Sequence, residues 1–232
     1  MKNICIYLFL LTVIVSPVSW GADFTKGWVA YKTGDYATSL EEWTPFADQG
    51  TALAQYFIGV MHLEGLGVPQ DYKEAAKWHA LAAEQGFAKA QFYLGDMYRK
   101  GDGVPQNYPM AVKWYTLAAE QGNAFAQLNL GVMYVGGLGV LKDYATAVKW
   151  YTISAEQGIA KAQSNLGGIY ANGDGVDQDN IYALMWWNIA ASSGNKNASR
   201  NRRIVTKKMT PDEISIADKL AHQCIADDYK GC

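Results

Sequence analysis

The motif Gly-x-Gly-Val occurs four times, starting at Gly65, Gly101, Gly137 and Gly173, and the step is 36 residues each time. The surroundings move with it. Trp recurs at Trp78, Trp114, Trp150 and Trp186, Ala at Ala75, Ala111, Ala147 and Ala183, and Gly at Gly86, Gly122, Gly158 and Gly194. A fixed period of this length marks stacked supersecondary units, none of which can cover its own apolar face alone. The period also decides how any one copy is read. The stretch GDGVPQNYPMAVKWY, Gly101 to Tyr115, invites comparison with a phosphate-binding loop. Such a loop follows a strand and occurs once per domain. This turn follows a helical pattern, occurs four times, and carries Asp102 and Asp174, which would repel phosphate. The glycines are therefore read as helix stops, since glycine readily takes the left-handed conformation past a helix end.

Each unit reads as two helices. The first carries Ala-x-Ala-Gln, an apolar residue and Gly, as in Ala52 to Gly59, Ala88 to Gly95, Ala124 to Gly131 and Ala160 to Gly167. The second starts at Asp71, Asn107, Asp143 and Asp179, residues whose side chains accept from the free amides of a first turn. It buries a face of the Ala75, Trp78, Ala82 kind at helical spacing. Gly59 and its copies let another helix come close, and the Trp column fills the gap between units. The expected architecture is an all-α solenoid with units at 51–86, 87–122, 123–158 and 159–194.

Taken together, these residues resemble the Sel-1-like repeat, a branch of the tetratricopeptide-repeat superfamily. The resemblance implies a right-handed α-solenoid and a role as a scaffold or adaptor in protein complexes. It also implies, for exported bacterial members, host or envelope interactions. Some disulfide-rich members are associated with penicillin binding, and those carry a Cys pair within the repeats. This chain has none there. A protein acting on cell-wall or β-lactam ligands, and a secreted host-interaction factor, stand as alternatives to the scaffold.

The ends depart from the period. Met1-Lys2-Asn3, the apolar run Ile4 to Val15 and Ser16-Pro17 have the grammar of a secretory leader, with a cut expected after Gly21. A periplasmic or secreted location follows, and a retained anchor is the competing reading. Residues 22–50 look like a degenerate first helix pair, with Asp35 as a cap. Its turn is short, 8 residues from Gly27 to Asp35 against 12 from Gly59 to Asp71, and Pro45 is expected to kink its second helix or free its first turn. Residues 195–232 read as a cap: a first helix from Asn195 to Lys208, then one opened by Thr210-Pro211-Asp212-Glu213 and running to about Cys224. Cys224 and Cys232 are the only cysteines after the leader and read as a disulfide worth roughly 2–3 kcal/mol by loop closure.

Comparing the four copies separates positions that repeat from positions that differ. On the first helices the differing positions fall at i, i+4, i+7 and i+11, one helical face. They are Leu53, Phe57, Val60 and Glu64; Lys89, Tyr93, Asp96 and Lys100; Phe125, Asn129, Val132 and Gly136; Lys161, Asn165, Gly168 and Asn172. First helices line the concave surface of solenoids of this type, so this stripe is the expected partner site, and its large apolar members favour an interface over a merely solvated face. A second candidate is the basic run Lys196, Arg200, Arg202, Arg203, Lys207 and Lys208. It would give weak contact with an anionic envelope surface, against the plainer reading of a solvated face.

Catalytic constellations are not evident. His62 and His79 stand in columns otherwise held by Tyr98, Tyr134, Tyr170 and by Tyr115, Tyr151, Trp187, and His222 lies in the cap. Glu84, Glu120 and Glu156, like Met61, Met97 and Met133, repeat with the fold and are read as structure. With a net charge of -2, nothing draws the chain to nucleic acid. The expected protein is a non-enzymatic scaffold without cofactor or metal that binds a protein or peptide.

Overall fold

The computed structural model describes residues 22–232. The leader expected over 1–21, with its cut after Gly21, lies outside the described residues. Those residues form helices and no strand. The first helices of the successive pairs are α1 (Phe24–Thr33), α3 (Ala52–Glu64), α5 (Ala88–Lys100), α7 (Ala124–Gly136), α9 (Ala160–Asn172) and α11 (Lys196–Val205). The second helices are α2 (Tyr36–Asp48), α4 (Tyr72–Glu84), α6 (Tyr108–Glu120), α8 (Tyr144–Ala155), α10 (Asn180–Ser192) and α12 (Pro211–Ala226). Each first helix through α9 packs on its own second helix, and each second helix through α10 packs on the next first helix, while α12 packs on α10. The pairs thus run in series as a solenoid.

The local causes are visible. Asp71 accepts from the amides of Lys73 and Glu74 at 2.8 and 3.1 Å, and Asn107, Asp143 and Asp179 cap α6, α8 and α10 in the same way. The first helices of the four units end on left-handed glycines. The second glycine of the turn has a further job. At Gly103, φ is +72° and an added Cβ would overlap the Tyr72 carbonyl, so the turn of one unit lies on the start of the preceding unit's second helix.

Within a pair the contact is glycine against a ring. A Cβ on Gly59 would sit 2.8 Å from the His79 ring, and Gly95, Gly131 and Gly167 face Tyr115, Tyr151 and Trp187 likewise. Between pairs, the buried Gln of each Ala-x-Ala-Gln reaches back one unit. Gln55, Gln91, Gln127 and Gln163 donate to the carbonyls of Ala47, Ala83, Ala119 and Ala155 at 3.0–3.1 Å. Gln85, Gln121 and Gln157 in turn donate to the side-chain oxygens of the first three. The ladder satisfies buried amides that would otherwise cost stability. It stops at Gln163, where Ser193 replaces the next Gln. Trp114 packs among Ala82, Ala83, Ala90 and Leu94, across the joint between units.

Both ends complete the stack. In the first pair Gly27 faces Trp43, whose indole donates to the Phe24 carbonyl at 3.2 Å. Pro45 lies inside α2, which runs on through it to Asp48. The proline lies in the last turn, where few bonds remain to be lost. At the other end Thr210 and Glu213 form a reciprocal capping box, α12 packs on α10, and Cys224 is bonded to Cys232. The tail folds back, with the Gly231 amide donating to Glu156 at 3.2 Å.

Candidate functional site

The positions that differ between copies lie on successive first helices, and the row they form changes character along its length. In the N-terminal half it is aromatic. The Phe57 ring lies 4.8 Å from Trp43, 5.4 Å from Trp28 and 5.6 Å from Tyr31, centroid to centroid. Tyr93 stacks on His79 at 5.1 Å and stands 5.9 Å from Tyr56. Phe92 continues the chain of rings to Phe125 at 6.2 Å. Of these, Trp28 and Phe125 are exposed to 38% and 56%, and Leu53 is exposed beside Phe57's helical turn. Glu64 and Lys89 are exposed as well.

One expectation about this half needs correction. Val60 is not available to a partner, being only 9% exposed, whereas its copy Val132 lies open. Asp96 and Lys100 are paired with each other. Asp96 pairs with Arg99 at 2.6 Å and Lys100 at 2.5 Å and accepts from the Tyr115 hydroxyl at 3.1 Å. Burial pushes the Asp96 carboxyl up, but the bonds from Lys100 and Arg99 outweigh it and hold the group below the usual carboxylate range.

In the C-terminal half the row is polar. Lys161, Asn165 and Gly168 of α9 line a groove of about 390 Å³, closed on the far side by Asn197, Arg200 and Asn201 of α11. Tyr151 forms its floor, its phenol pushed up to about 12 by burial. Asn172 donates to Asp174 at 3.0 Å and borders an adjoining groove of about 230 Å³ with Ile204 and Lys208. Asn129, half-buried in α7, stands between the halves.

Sequence reasoning missed both ends of the row. Asn197, Asn201, Ile204 and Lys208 stand one period beyond Lys161, Asn165, Gly168 and Asn172, so the step of 36 carried the signal into the cap. At the other end Gly27 takes the place of Gly59, which puts Trp28 and Lys32 where α3 has Val60 and Glu64. The ammonium of Lys32 lies 5.0 Å over the Trp28 ring.

The basic run does not form one patch. All six residues are exposed, and among the described residues none pairs with an acid. Arg200 and Lys208 face the first-helix grooves, whereas Arg202 lies by Asp218 and His222, where α10 meets α12. The histidines stand apart. His79 is fully buried in the Tyr115 column, and burial pushes its pKa down to about 4. His222 contacts the Asp218 carbonyl. Among the described residues no three His, Cys, Asp or Glu side chains gather as metal ligands would, and no helix is long and apolar enough to cross a membrane.

Comparison with known proteins agrees with this architecture. A family model described as Sel1 repeat matches residues 52–87, 88–123, 124–159 and 160–195, one residue out of step with the unit bounds read from the sequence. A solved Sel1 repeat protein from Oxalobacter formigenes is 34% identical, with a TM-score of 0.76 over 87% of this chain and 85% of that one. A protective antigen present in uropathogenic Escherichia coli strains, displaying an SLR fold, is 31% identical with a TM-score of 0.55. That match covers 87% of this chain and 53% of the antigen. A putative Sel1 repeat protein from Klebsiella pneumoniae shares the fold at 18% identity and a TM-score of 0.50, over 79% of this chain and 91% of that one. A comparison with curated proteins finds no match. Sel1 repeats generally mediate protein–protein interaction, and the proteins built from them are typically non-catalytic scaffolds. Four consecutive repeats and a shared solenoid leave one assignment: the chain belongs to the Sel1-repeat family.

Proposed function

We propose that this protein is a scaffold that holds a protein or peptide partner along its row of first helices, on the concave side of the solenoid, in the periplasm or outside the cell. The observation that carries the reading is the row itself. Side chains that the 36-residue packing leaves free lie on neighbouring helices, and several are large, apolar and open: Trp28, Leu53, Phe125. Clustered open rings of this kind mark interfaces. A stacked solenoid presents them on a rigid frame, so little ordering cost is left to meet on binding. The location rests on the leader grammar of residues 1–21 and on a disulfide, which persists in oxidising compartments.

The test is capture of partners from envelope extract by the mature protein and by two variants. Phe57→Ala combined with Tyr93→Ala is expected to abolish capture. Phe125→Ala, at an open position where folding is not at stake, is expected to weaken it severalfold. Unchanged capture by both variants, with unchanged thermal melting, rejects the row as the partner face.

A further inference from the structure

The groove between α9 and α11 has an opening that packing does not explain. Ser164 stands where the earlier units have Tyr56, Phe92 and Leu128, and Gly168 where they have Val60, Asp96 and Val132. Small residues at both places leave the space that large ones fill elsewhere. Gly168 is the informative one. Gly167 beside it must be glycine, because a Cβ would strike the Trp187 indole at 2.5 Å. At Gly168 a Cβ would meet nothing within 4 Å, and its backbone is ordinary helix. A helix-interior glycine weakens a helix relative to alanine. This one contributes only room.

The chemistry around that room is cationic and rich in donors. Lys161 and Arg200 border it with no acid in ion-pair range, and Asn165, Asn197 and Asn201 add amides from both sides. One acid, Asp174, lies at the edge, where Asn172 already donates to it. On the Arg200 side no acid occurs between Asp179 and Asp212, while six cations do. A guanidinium and an ammonium flanked by amide donors match the oxygens of a carboxylate. The recess between two helices suits a side chain or chain end better than a flat lipid surface.

We propose that this groove is the anion-recognising end of the row and takes carboxylates of an acidic peptide segment, with Gly168 keeping it open. The inference rests on the row being the partner face and adds the chemistry of what docks at its C-terminal end. The test is titration of the mature protein at low salt with a hexaglutamate peptide, followed by amide chemical shifts. Shifts are expected at α9 and α11, with none from hexaglutamine. Gly168→Leu, which fills the groove and keeps every charge, should weaken binding at least tenfold, and so should Lys161→Gln with Arg200→Gln. Gly168→Ala should leave it within twofold and shows that position 168 tolerates a side chain. Equal binding by Gly168→Leu, shifts elsewhere, or no shifts at all overturns the inference. So does competition by inorganic phosphate or by phosphatidylglycerol vesicles at the same concentration of anionic groups, which would reassign the site to phosphate or to a lipid surface. Failure here leaves the Phe125→Ala and Phe57→Ala results standing, so the groove can fall without the row.

Discussion

The N-terminal and C-terminal halves of the first-helix row share one backbone plan and differ in chemistry. From α1 to α7 it carries a run of rings, Trp28, Phe57, Tyr93 and Phe125, with Asp96 paired to Arg99 and Lys100 of its own helix. From α9 to α11 it carries amides and unpaired cations around an open groove. The packing columns do not change from the first pair to the fourth repeat: glycine faces a ring in each of these pairs, and a buried glutamine ties each of the four repeats to the one before. A repeat of this kind separates two tasks. Columns hold the stack, and the row is free to vary without cost to it.

If that separation is right, the halves should fail differently. The largest effect is expected for Trp43→Ala. It removes the fully buried ring of the first pair and should cost about 3–5 kcal/mol. Hydrogen exchange should show α1 and α2 opening first while α9 to α12 keep their protection, because in a solenoid each unit contacts only its neighbours. Simultaneous loss everywhere would mean that the halves are one cooperative block.

Acid should also act on the N-terminal half. His79 has a folded pKa of about 4 against 6.5 when exposed. Below pH 6.5 the unfolded chain takes up a proton that the folded chain refuses, so stability falls as pH drops toward 4, by about 3 kcal/mol in all. Urea denaturation across that range measures it. His79→Tyr, which restores the residue type of Tyr115 and Tyr151, should flatten the loss. A smaller effect belongs to the other end: reducing Cys224–Cys232 should cost roughly 2–3 kcal/mol, seen as faster exchange in the C-terminal part of α12. The smallest is a gain. Gly168→Ala should stabilise the protein by about 0.5–1 kcal/mol, because its Cβ meets nothing.

The fold was largely legible in the sequence because the columns are enforced by contact. Gly59 and Gly131 must be glycine against His79 and Tyr151, so they recur in phase. The row was legible only as a set of exceptions, and an exception has several causes. Val60 varies yet is covered, and Asp96 varies yet is neutralised by Arg99 and Lys100 of its own helix. Trp28 was hidden because the first pair's turn is four residues shorter than the others, which shifts its phase to 32. Asn197 and Asn201 were hidden because α11 lacks the glycine turn that announces a unit. Gly168 read as one more variable residue until the empty space beside it was seen.

The division between columns and row can be tested in one measurement, hydrogen exchange of the protein with and without a captured partner. Slowed exchange should fall on α3, α5, α7, α9 and α11, and leave the second helices unchanged. Protection centred on α4 and α8, around their exposed Leu81 and Ile153, would place the partner on the other helices and contradict the account.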